Sequence, residues 1–431
     1  MLFMLYRVHY CDTRTKLHRF FTTISTMMEL ECAIQTYDWG ERGSKSVVAK
    51  LAKTSNCEFI LEENKPYAEL WMGTHQNGPS RLKKNKIHLK DHIEQNKHIL
   101  GLNNVGSYDD LPFLFKILSI GKALSIQTHP DKKRAERLHR EQPDIYKDAN
   151  HKPELAIALG PFEAFCGFRP VNEIKAYVKE APEIRAVIQS NSSFPTIFQE
   201  LEFHKDGKEF VKKVFKGLLQ QEPEIIKKQL DLLIERLSTL DEPKRQFFHA
   251  DLLERLNKDF PGDVGCFGIY LFNYVTLKPG DAIFIAPNEP HAYLSGDCIE
   301  CMACSDNVVR AGLTPKPKDI STLIEMLTYS CEPASSKRFE ATREDEFTQV
   351  FRPPVPDFAV AKISVTPETN SYHLIPRSTA SILLMIEGEA EASSSKLQPG
   401  SVFFIPAMEK VTLHFLSHPI LMFQAFANTS E

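Results

Sequence analysis

The chain of 431 residues lacks two features that would decide its function class at once. It contains no apolar run approaching the ~18 residues that a transmembrane helix needs, so the sequence predicts no membrane-spanning helix. It also lacks a strong charge of either sign, because 52 Lys and Arg face 56 Asp and Glu. A general nucleic-acid binder carries a strongly basic domain. We therefore expect neither a membrane nor a nucleic acid as a partner.

Disulfide bonds are not expected either. The nine cysteines are an odd number scattered through a long chain, which is typical of reduced thiols in a cytoplasmic protein. Three of them, Cys298, Cys301 and Cys304, form a C-x2-C-x2-C run that invites a metal-cluster interpretation. The further cysteine that a ferredoxin cluster requires at short spacing is missing. We interpret the three as structural thiols.

Residues 1–27 are predicted to be an N-terminal extension. They carry four Lys or Arg and a single acid, Asp12, with Ser and Thr near the end. Such a basic, hydroxyl-rich stretch is typical of an organellar transit peptide. The alternative is an upstream start, with Met27 or Met28 as the usual first residue. We expect a cytoplasmic protein, with a mitochondrial location as the alternative for the form that keeps residues 1–27.

The length predicts two or three domains. Strand-like patterns predominate in residues 28–170, beside helix-like stretches at SKSVVAKL and 131–150, and they return at 261–320. Residues 171–260 have the ~3.6-residue period of helices, and their prolines divide them into four or five segments. Residues 321–431 contain one helix and then only strand and turn patterns. The sequence therefore predicts a discontinuous catalytic β domain (28–170 plus 261–320), a helical insertion (171–260) and a C-terminal β domain (321–431).

An internal repeat connects the two β domains. LQPGSVFFIPAMEKV (397–411) aligns without gaps on LKPGDAIFIAPNEPH (277–291), matching Leu, Pro-Gly, Phe and Ile in place. Both segments are predicted to be the same strand-turn-strand piece of a jelly-roll barrel. His291 of the first copy is Val411 in the second, which predicts a second barrel without a site.

The stretch LPFLFKILSIGKALSIQTHP (111–130) carries polar side chains on an apolar background. Two apolar runs flank Gly121-Lys122, a pattern that predicts a β-hairpin. Alternation along the second run places Ser125, Gln127 and His129 on one face. Polar groups there cost free energy unless they find partners, so this face is a candidate site.

Four residues form a candidate metal site. Gln127 and His129 share their strand face, Glu154 opens a following strand, and His291 follows a strand of the returning β domain. An amide, two imidazoles and a carboxylate suit zinc, with manganese or ferrous iron less favoured. None has the helical spacing of a metalloprotease. The pattern alone therefore leaves open the alternative that these histidines are ordinary core or surface groups.

Charged residues near His291 and Glu154 form a candidate anion site. An arginine and lysines at a barrel mouth suit a phosphate group. A solvated charged rim is the alternative. The residues are Lys152, Glu300, Asp306, Arg310 and Lys316.

Six segments resemble the type I mannose-6-phosphate isomerase (phosphomannose isomerase) family. The resemblance extends from Met28 to about Lys318 and continues more weakly to the end of the chain. The segments are QTYDWG (35–40), YAELWMGTH (67–75), LSIQTHPDK (124–132), HKPELAIAL (151–159), NEPHAYLSGD (288–297) and ECMACSDNVVRAGLTPK (300–316).

The resemblance implies a role for each site residue. Its zinc ligands fall on Gln127, His129, Glu154 and His291, with one Zn²⁺ per chain. Catalytic roles fall on Arg310, Glu300 and Lys152. Substrate-binding roles fall on Ser125, Lys316, Tyr293 and Asp306.

The resemblance also implies a fold and a reaction. The fold is mainly β, with a cupin-like jelly-roll catalytic domain, an inserted helical domain and a second cupin-like domain without a metal site. The reaction is the interconversion of D-mannose 6-phosphate and D-fructose 6-phosphate through an enediolate, which feeds GDP-mannose synthesis and glycosylation. We expect a monomer that binds a small sugar phosphate.

The sequence is compatible with two proton-transfer groups and with two competing functions. Either Glu300 or a hydroxide carried by the metal could move the proton between the sugar carbons. A non-catalytic sugar-phosphate sensor and an iron-dependent cupin dioxygenase are the competing functions. The presence of Glu300 and Arg310 argues against a sensor, and the glutamine ligand and phosphate-type cations argue against a dioxygenase.

Overall fold

The computed structural model describes residues 27–101, 109–189, 207–392 and 395–429. Except for Met27, which is buried, the predicted N-terminal extension lies outside these residues. Twenty strands and ten α-helices are present in the part of the chain that is described. None of these helices has the length and apolar character needed to cross a membrane.

The strands form two ten-stranded antiparallel sheets. In chain order they are β1 (Met28–Glu31), β2 (Ala33–Gln35), β3 (Glu69–Met72), β4 (Arg81–Leu82), β5 (Phe113–Ile120), β6 (Ile126–Thr128), β7 (Glu154–Ala158), β8 (Phe162–Phe168), β9 (Phe272–Leu277), β10 (Ala282–Ile285), β11 (His291–Ala303), β12 (Val309–Gly312), β13 (Thr342–Arg343), β14 (Thr348–Phe351), β15 (Ala359–Val365), β16 (Ser371–His373), β17 (Ser381–Ala392), β18 (Ser395–Leu397), β19 (Val402–Ile405) and β20 (Thr412–Phe426).

The helices lie mostly between β8 and β9. In chain order they are α1 (Val47–Ser55), α2 (Leu89–Gln95), α3 (Lys132–Glu141), α4 (Val171–Glu180), α5 (Pro182–Gln189), α6 (Gly207–Leu219), α7 (Pro223–Ser238), α8 (Glu242–Phe247), α9 (Ala250–Asp259) and α10 (Ile320–Met326). Short 3₁₀ helices occupy Gly43–Lys45, Lys97–Leu100, Val264–Tyr270 and Ala334–Lys337.

Strand β11 organises the first sheet because its two halves have different neighbours. Its first half pairs with β6 and β8, with His291 opposite Gln127 and Cys166. Its second half lies between β5 and β7, with Glu300 opposite Lys116 and Ala156. The strand therefore bends from one face of the barrel to the other. This bend brings the residues of both faces to one cavity.

The predicted hairpin around Gly121-Lys122 is wrong. Strand β5 pairs with β3 and β11, whereas β6 pairs with β11 and β12. Both edges of β5 are already occupied, so the chain after Ile120 crosses to the opposite face instead of folding back. The alternation of Ser125, Gln127 and His129 survives this change, because it depends on β6 alone.

The helical segment packs against the barrel. The structure describes six helices between Val171 and Asp259, more than the four or five expected. The apolar stripe predicted there, including Val211, Val214 and Leu218, is buried. It belongs to the same core cluster as Ile126 of the first sheet, which places the insertion against the face that carries β6.

The second sheet repeats the architecture of the first. In both copies a Pro-Gly turn places a glycine in the left-handed region, with φ +89 at Gly280 and +87 at Gly400. In the turn after the next strand, the left-handed residue is Asn288 in the first copy, at φ 62, and Met408 in the second, at φ 60. Strand β10 therefore corresponds to β19, and the structure confirms the internal repeat.

The two barrels are joined by a strand and by a core cluster that cross the domain boundary predicted from the sequence. Strand β1 pairs with β19 of the second sheet, with Met28 opposite Phe404, although the sequence placed residues 28–31 with the catalytic domain. One core cluster contains Leu30 and Phe404 together with Ile117 of β5. The first residues after Met27 thus connect the two barrels.

Candidate active site

Three buried side chains from different elements converge in the first barrel. Glu154 opens β7, His129 follows β6, and His291 opens β11. The Nε2 atom of His129 lies 3.2 Å from Oε1 of Glu154, and Nε2 of His291 lies 3.2 Å from Oε2. Their candidate ligand atoms all lie within 4.8 Å of one another. This is the geometry of ligands around one small ion.

The polar atoms of this group fit a metal ion. Nε2 of both histidines and Oε2 of Glu154 are buried without a hydrogen-bond partner, which is costly unless an ion satisfies them. Nδ1 of His129 lies 2.7 Å from the Asn307 carbonyl oxygen, and Nδ1 of His291 lies 3.3 Å from that of Glu289. Protons assigned to Nδ1 leave both Nε2 lone pairs for the metal.

The protonation states also suit metal binding. Burial lowers the pKa of His129 to about 4, so its imidazole is neutral at pH 7. Burial alone would raise the pKa of Glu154, but the adjacent His129 and Lys152 hold it well below its usual range. Neutral imidazole and ionised carboxylate are the forms that coordinate metals.

Gln127 lies beside this group. Its Cα is opposite His291 in the β6–β11 pair and opposite Arg310 in the β6–β12 pair. The side chain lines the cleft that the metal group opens onto. Strand register thus places the predicted fourth ligand opposite one of the other three, His291.

A cleft of about 720 Å³ leads to the metal group. Nine of the eleven predicted site residues line it; His129 and His291 do not and are almost fully buried, at 1% and 0% exposure. The nine are Ser125, Gln127, Lys152, Glu154, Tyr293, Glu300, Asp306, Arg310 and Lys316.

Glu300 occupies one wall of the cleft as a buried carboxylate. Its Oε2 accepts a hydrogen bond from Lys116 Nζ at 3.0 Å, and the same Nζ lies 3.7 Å from Glu69 Oε2. Burial raises the pKa of Glu300, Lys116 opposes this, and Glu154 adds to it. Burial and the charge of Glu300 likewise hold the pKa of Tyr293 well above its usual range. A buried carboxyl group with a raised pKa is a stronger base than a solvated one, which suits it to accept and return a proton.

Lys152 and Asp306 are two further polar groups of the cleft. Lys152 Nζ lies 3.5 Å from Glu154 Oε1. Asp306 Oδ1 lies 3.4 Å from His75 Nε2, and its Oδ2 accepts a hydrogen bond from Asn77 Nδ2 at 3.2 Å. The hydrogen bond with His75 lowers the pKa of Asp306, which keeps it ionised at pH 7.

The cationic side of the cleft consists of Arg310 and Lys316. Arg310 lies in β12 and is half-buried, and burial lowers its pKa. No carboxylate within the described ranges lies within 4.0 Å of its guanidinium, whereas Lys316 is exposed at the rim. An arginine held half-buried without an acidic partner is suited to an anionic ligand. Ser125, just before β6, supplies a hydroxyl on the same cleft.

Three residues that the sequence patterns did not single out for the site, Lys116, Glu69 and Trp71, also line the cleft. The Trp71 indole donates to Glu69, and Lys116 Nζ lies 5.1 Å from the Trp71 ring centroid. The available signal was Lys116 itself, because a lysine within the apolar run FLFKILSI needs a buried partner. The partner lies on another strand, so the pair could not be read from spacing.

Asp297 and the cysteines of β11 lie outside the metal group. Asp297 Oδ1 accepts a hydrogen bond from Ser119 Oγ at 2.6 Å and does not line the cleft. It is three residues from Glu300, so the two point to opposite faces of the strand. The same spacing separates Cys298 from Cys301, and both are free buried thiols. Cys304 is also free, so the run does not converge on a cluster.

Two family models match the chain. The model for the catalytic domain of type I phosphomannose isomerase matches residues 27–171. The model for the helical insertion domain of the same family matches residues 185–272.

Similar proteins and structures agree with these matches. The mannose-6-phosphate isomerase of Bos taurus is 43% identical over 412 residues, covering 92% of this chain and 97% of the relative. That of Homo sapiens is 44% identical over 414 residues, with the same coverage. A mannose 6-phosphate isomerase structure bound with zinc and yttrium is 32% identical, with a TM-score of 0.80, covering 94% of this chain and all of the other. The predicted fold class, a mainly β protein of cupin type with a helical insertion, is confirmed.

Proposed function

The chain belongs to the type I phosphomannose isomerase family, and we propose roles in the reaction for residues of its cleft. It is a zinc-dependent isomerase that interconverts D-mannose 6-phosphate and D-fructose 6-phosphate. The observation that carries the proposal is the buried His129–Glu154–His291 group at the end of a cleft that also holds Arg310. The three side chains suit a metal, and the guanidinium suits an anion.

We assign the zinc site to Gln127, His129, Glu154 and His291, with one ion per chain. These residues would hold a zinc ion, which would supply a Lewis acid to stabilise negative charge that develops on the sugar. The carbonyl oxygens of Asn307 and Glu289 fix the histidine rings through Nδ1. They hold the ligands in one orientation before substrate arrives.

Glu300 moves the proton between C2 and C1. The step requires a base that takes the proton from one carbon and returns it to the other, passing through an enediolate. Glu300 is buried on the cleft wall with a raised pKa, which supports this role. Lys116 donates a hydrogen bond that fixes Oε2 of Glu300. Tyr293 lies on the same strand as Glu300, β11, and lines the same cleft.

Lys152 and Asp306 assist ring opening. Opening the pyranose takes a proton from the C1 hydroxyl and gives one to the ring oxygen. Asp306, with its lowered pKa, is the acceptor, and the Lys152 ammonium is the donor. Lys152 lies next to Glu154, so the donor acts at the metal end of the cleft.

The phosphate group is bound by Arg310, Lys316 and Ser125. Arg310 also stabilises the negative charge of the enediolate. Arg310 has no acidic partner among the described residues, so its guanidinium is free to pair with an oxyanion. Lys316 stands at the rim, where it attracts the phosphate from solvent. The Ser125 hydroxyl donates a hydrogen bond to the same group.

The function is tested by following fructose 6-phosphate formation from mannose 6-phosphate in a coupled assay. We expect activity that is lost on chelation and restored by zinc. Zinc-replete protein that forms no product would overturn the catalytic proposal and leave a sugar-phosphate binder.

Arg310→Ala tests the anion site separately. Loss of one preorganised charge contact costs about 100-fold to 1,000-fold in turnover, and the zinc content should stay near that of the parent. Arg134→Ala is the matched control, because Arg134 lies on α3 and pairs with Glu325. Unchanged turnover in Arg310→Ala would remove Arg310 from the mechanism.

We also propose that the chain acts as a cytoplasmic monomer. The cysteines of the described segments are free thiols, a state that fits a reducing compartment. Light scattering during gel filtration should give the mass of one chain. A specific activity that rises with protein concentration would contradict a monomer.

A further inference from the structure

The two histidines assigned to zinc sit on segments that are far apart in the chain, and something must hold them in register. His129 follows β6, and His291 begins β11 after the turn of residues 286–290. We propose that Asn288, paired with Asp131, is a positioning residue that clamps these two segments together and slows zinc release. The inference rests on the ligand set proposed above.

Three hydrogen bonds make the clamp. The backbone N–H of Asn288 donates to the His129 carbonyl oxygen at 2.7 Å. The Asn288 side chain donates from Nδ2 to Asp131 Oδ2 at 2.8 Å. Its Oδ1 accepts from the Asp131 backbone N–H at 3.3 Å. Asn288, three positions before His291, is thereby hydrogen-bonded to both His129 and Asp131, the two ends of segment 129–131.

Both halves of the clamp are anchored to other elements. Asp131 caps α3, because its Oδ1 accepts from the Arg134 backbone N–H at 2.9 Å. On the other side, the Pro290 carbonyl oxygen accepts from the Gly167 N–H at 2.8 Å. The Asn288–Asp131 pair therefore links a helix start to a sheet turn. A change at this link is transmitted to the histidines on either side.

The second barrel shows what the turn requires without a metal. Met408, the counterpart of Asn288, adopts the same left-handed conformation and donates its backbone N–H to the Arg377 carbonyl oxygen at 2.7 Å. Arg377 is thus the counterpart of His129, and Thr379 that of Asp131. The Met408 side chain is 66% exposed. The turn and its backbone hydrogen bond form with methionine, so neither requires asparagine.

The side-chain pair is the part that differs between the two copies. The barrel with His129 and His291 has Asn288 and Asp131, whereas the other barrel has Arg377, Val411, Met408 and Thr379 at these places. The ligands and the clamp are present together and absent together within one chain. This association is what a metal-positioning role predicts, and a turn-forming role alone does not.

A charge swap tests the clamp. In Asn288→Asp, two carboxylates face each other and the Nδ2 donor is lost. The double variant Asp131→Asn with Asn288→Asp restores a donor opposite a carboxylate, keeps the net charge, and leaves an oxygen to cap α3. Asn288→Met copies the second barrel without adding a charge. Met408→Asp is the control in the metal-free copy.

Zinc release from each holoenzyme is followed with an excess of a chromogenic chelator, beside the melting temperature of the zinc-free protein. Loss of an outer-shell partner costs ~10-fold to 100-fold in metal affinity. We expect acceleration of that size in Asn288→Asp and Asn288→Met, near-parental release in the double variant, and no change in Met408→Asp. Zinc-free Asn288→Met should melt near the parent.

Release at the parental rate in Asn288→Met would overturn the clamp. So would acceleration that the double variant does not reverse. Failure of the ligand set looks different: the parent would bind no zinc, or His291→Ala would retain it at the parental affinity. Asn288→Met carries the test if Asn288→Asp does not fold.

Discussion

At the scale of single residues, Lys116 is a buried cation on the wall of the cleft. Its ammonium lies between the carboxylates of Glu300 and Glu69, and all three side chains are at most 8% exposed. Burial alone would lower the pKa of Lys116, yet the two carboxylates hold it above its usual range. Breaking a buried charge pair by removing one partner costs about 3–5 kcal/mol, because the other charge is left without compensation.

Lys116→Met should therefore lower the free energy of unfolding by about that amount, roughly 3–5 kcal/mol, as measured by denaturant titration. The double variant Lys116→Met with Glu69→Gln should regain part of the loss, since one unpaired carboxylate is removed. Stability equal to that of the parent in Lys116→Met would mean that water or another group already compensates these carboxylates.

Asp297, which lies outside the metal group, should make the stability of the protein depend on pH. Burial raises the pKa of Asp297, against the lowering effect of its hydrogen bond with Ser119. As the pH rises, the unfolded chain therefore loses the Asp297 proton before the folded protein does. The free energy of unfolding falls as the pH rises from the unfolded pKa through the folded pKa, because the folded protein must then bury a charged carboxylate. Asp297→Asn keeps the acceptor oxygen but cannot ionise.

Zinc-free Asp297→Asn should be more stable than zinc-free parent near pH 7. The difference should vanish below about pH 4, where the parent carboxyl is also protonated. Urea unfolding midpoints across this pH range measure it. An offset that is constant with pH would show that the substitution acts through packing instead of ionisation.

At the scale of elements, β11 serves the site because it changes neighbours midway. Its register shifts between Tyr293 and Ser295, and Gly296 has φ +104, a conformation that side-chain-bearing residues rarely adopt. A Cβ at Gly296 would overlap the Pro161 carbonyl oxygen. His291 lies before the bend, in the metal group at the end of the cleft, and Glu300 lies after it, on the cleft wall.

Gly296→Ala should thus lower both the melting temperature and the isomerase turnover, because the strained backbone costs about 1–3 kcal/mol and displaces the two ends of the strand. Gly160→Ala is the control, since an added Cβ there meets no atom within 4 Å. Equal effects of the two variants would show that the bend tolerates a side chain.

The sequence predicted where strands lie more accurately than which strands pair with one another. Alternation placed Gln127 and His129 on one face of β6, and the repeat located β10 and β19. The hairpin prediction failed because periodicity identifies a strand but not which neighbours occupy its edges. In the same way Lys116 was read as part of an apolar run, since its partners Glu69 and Glu300 lie on β3 and β11. Residue types and local faces are local properties, whereas pairings are not.

At the scale of the whole molecule, the two barrels share one apolar core. The cluster joins Ile117 and Ile157 of the first sheet to Val360 and Phe404 of the second, through Leu30 of β1. The sequence boundary near residue 320 therefore does not separate two independent cores. Nothing in the spacing of residues 28–31 indicated that β1 pairs with the second sheet.

A fragment that ends at residue 320 should consequently fail to accumulate as soluble, zinc-binding protein, because it exposes this shared core to water. Soluble yield and zinc content of the fragment, compared with the full chain, measure the outcome. A soluble fragment that binds zinc would show that the first barrel buries its core by itself.

The helical segment between β8 and β9 separates the candidate site into two parts along the chain. During synthesis, Gln127, His129 and Glu154 leave the ribosome well before His291, Glu300 and Arg310. A nascent chain paused within the insertion thus presents an imidazole and two oxygen donors without the second imidazole that closes the site. The proposed ligand set and the proposed base, Glu300, are therefore complete only after the insertion has been translated.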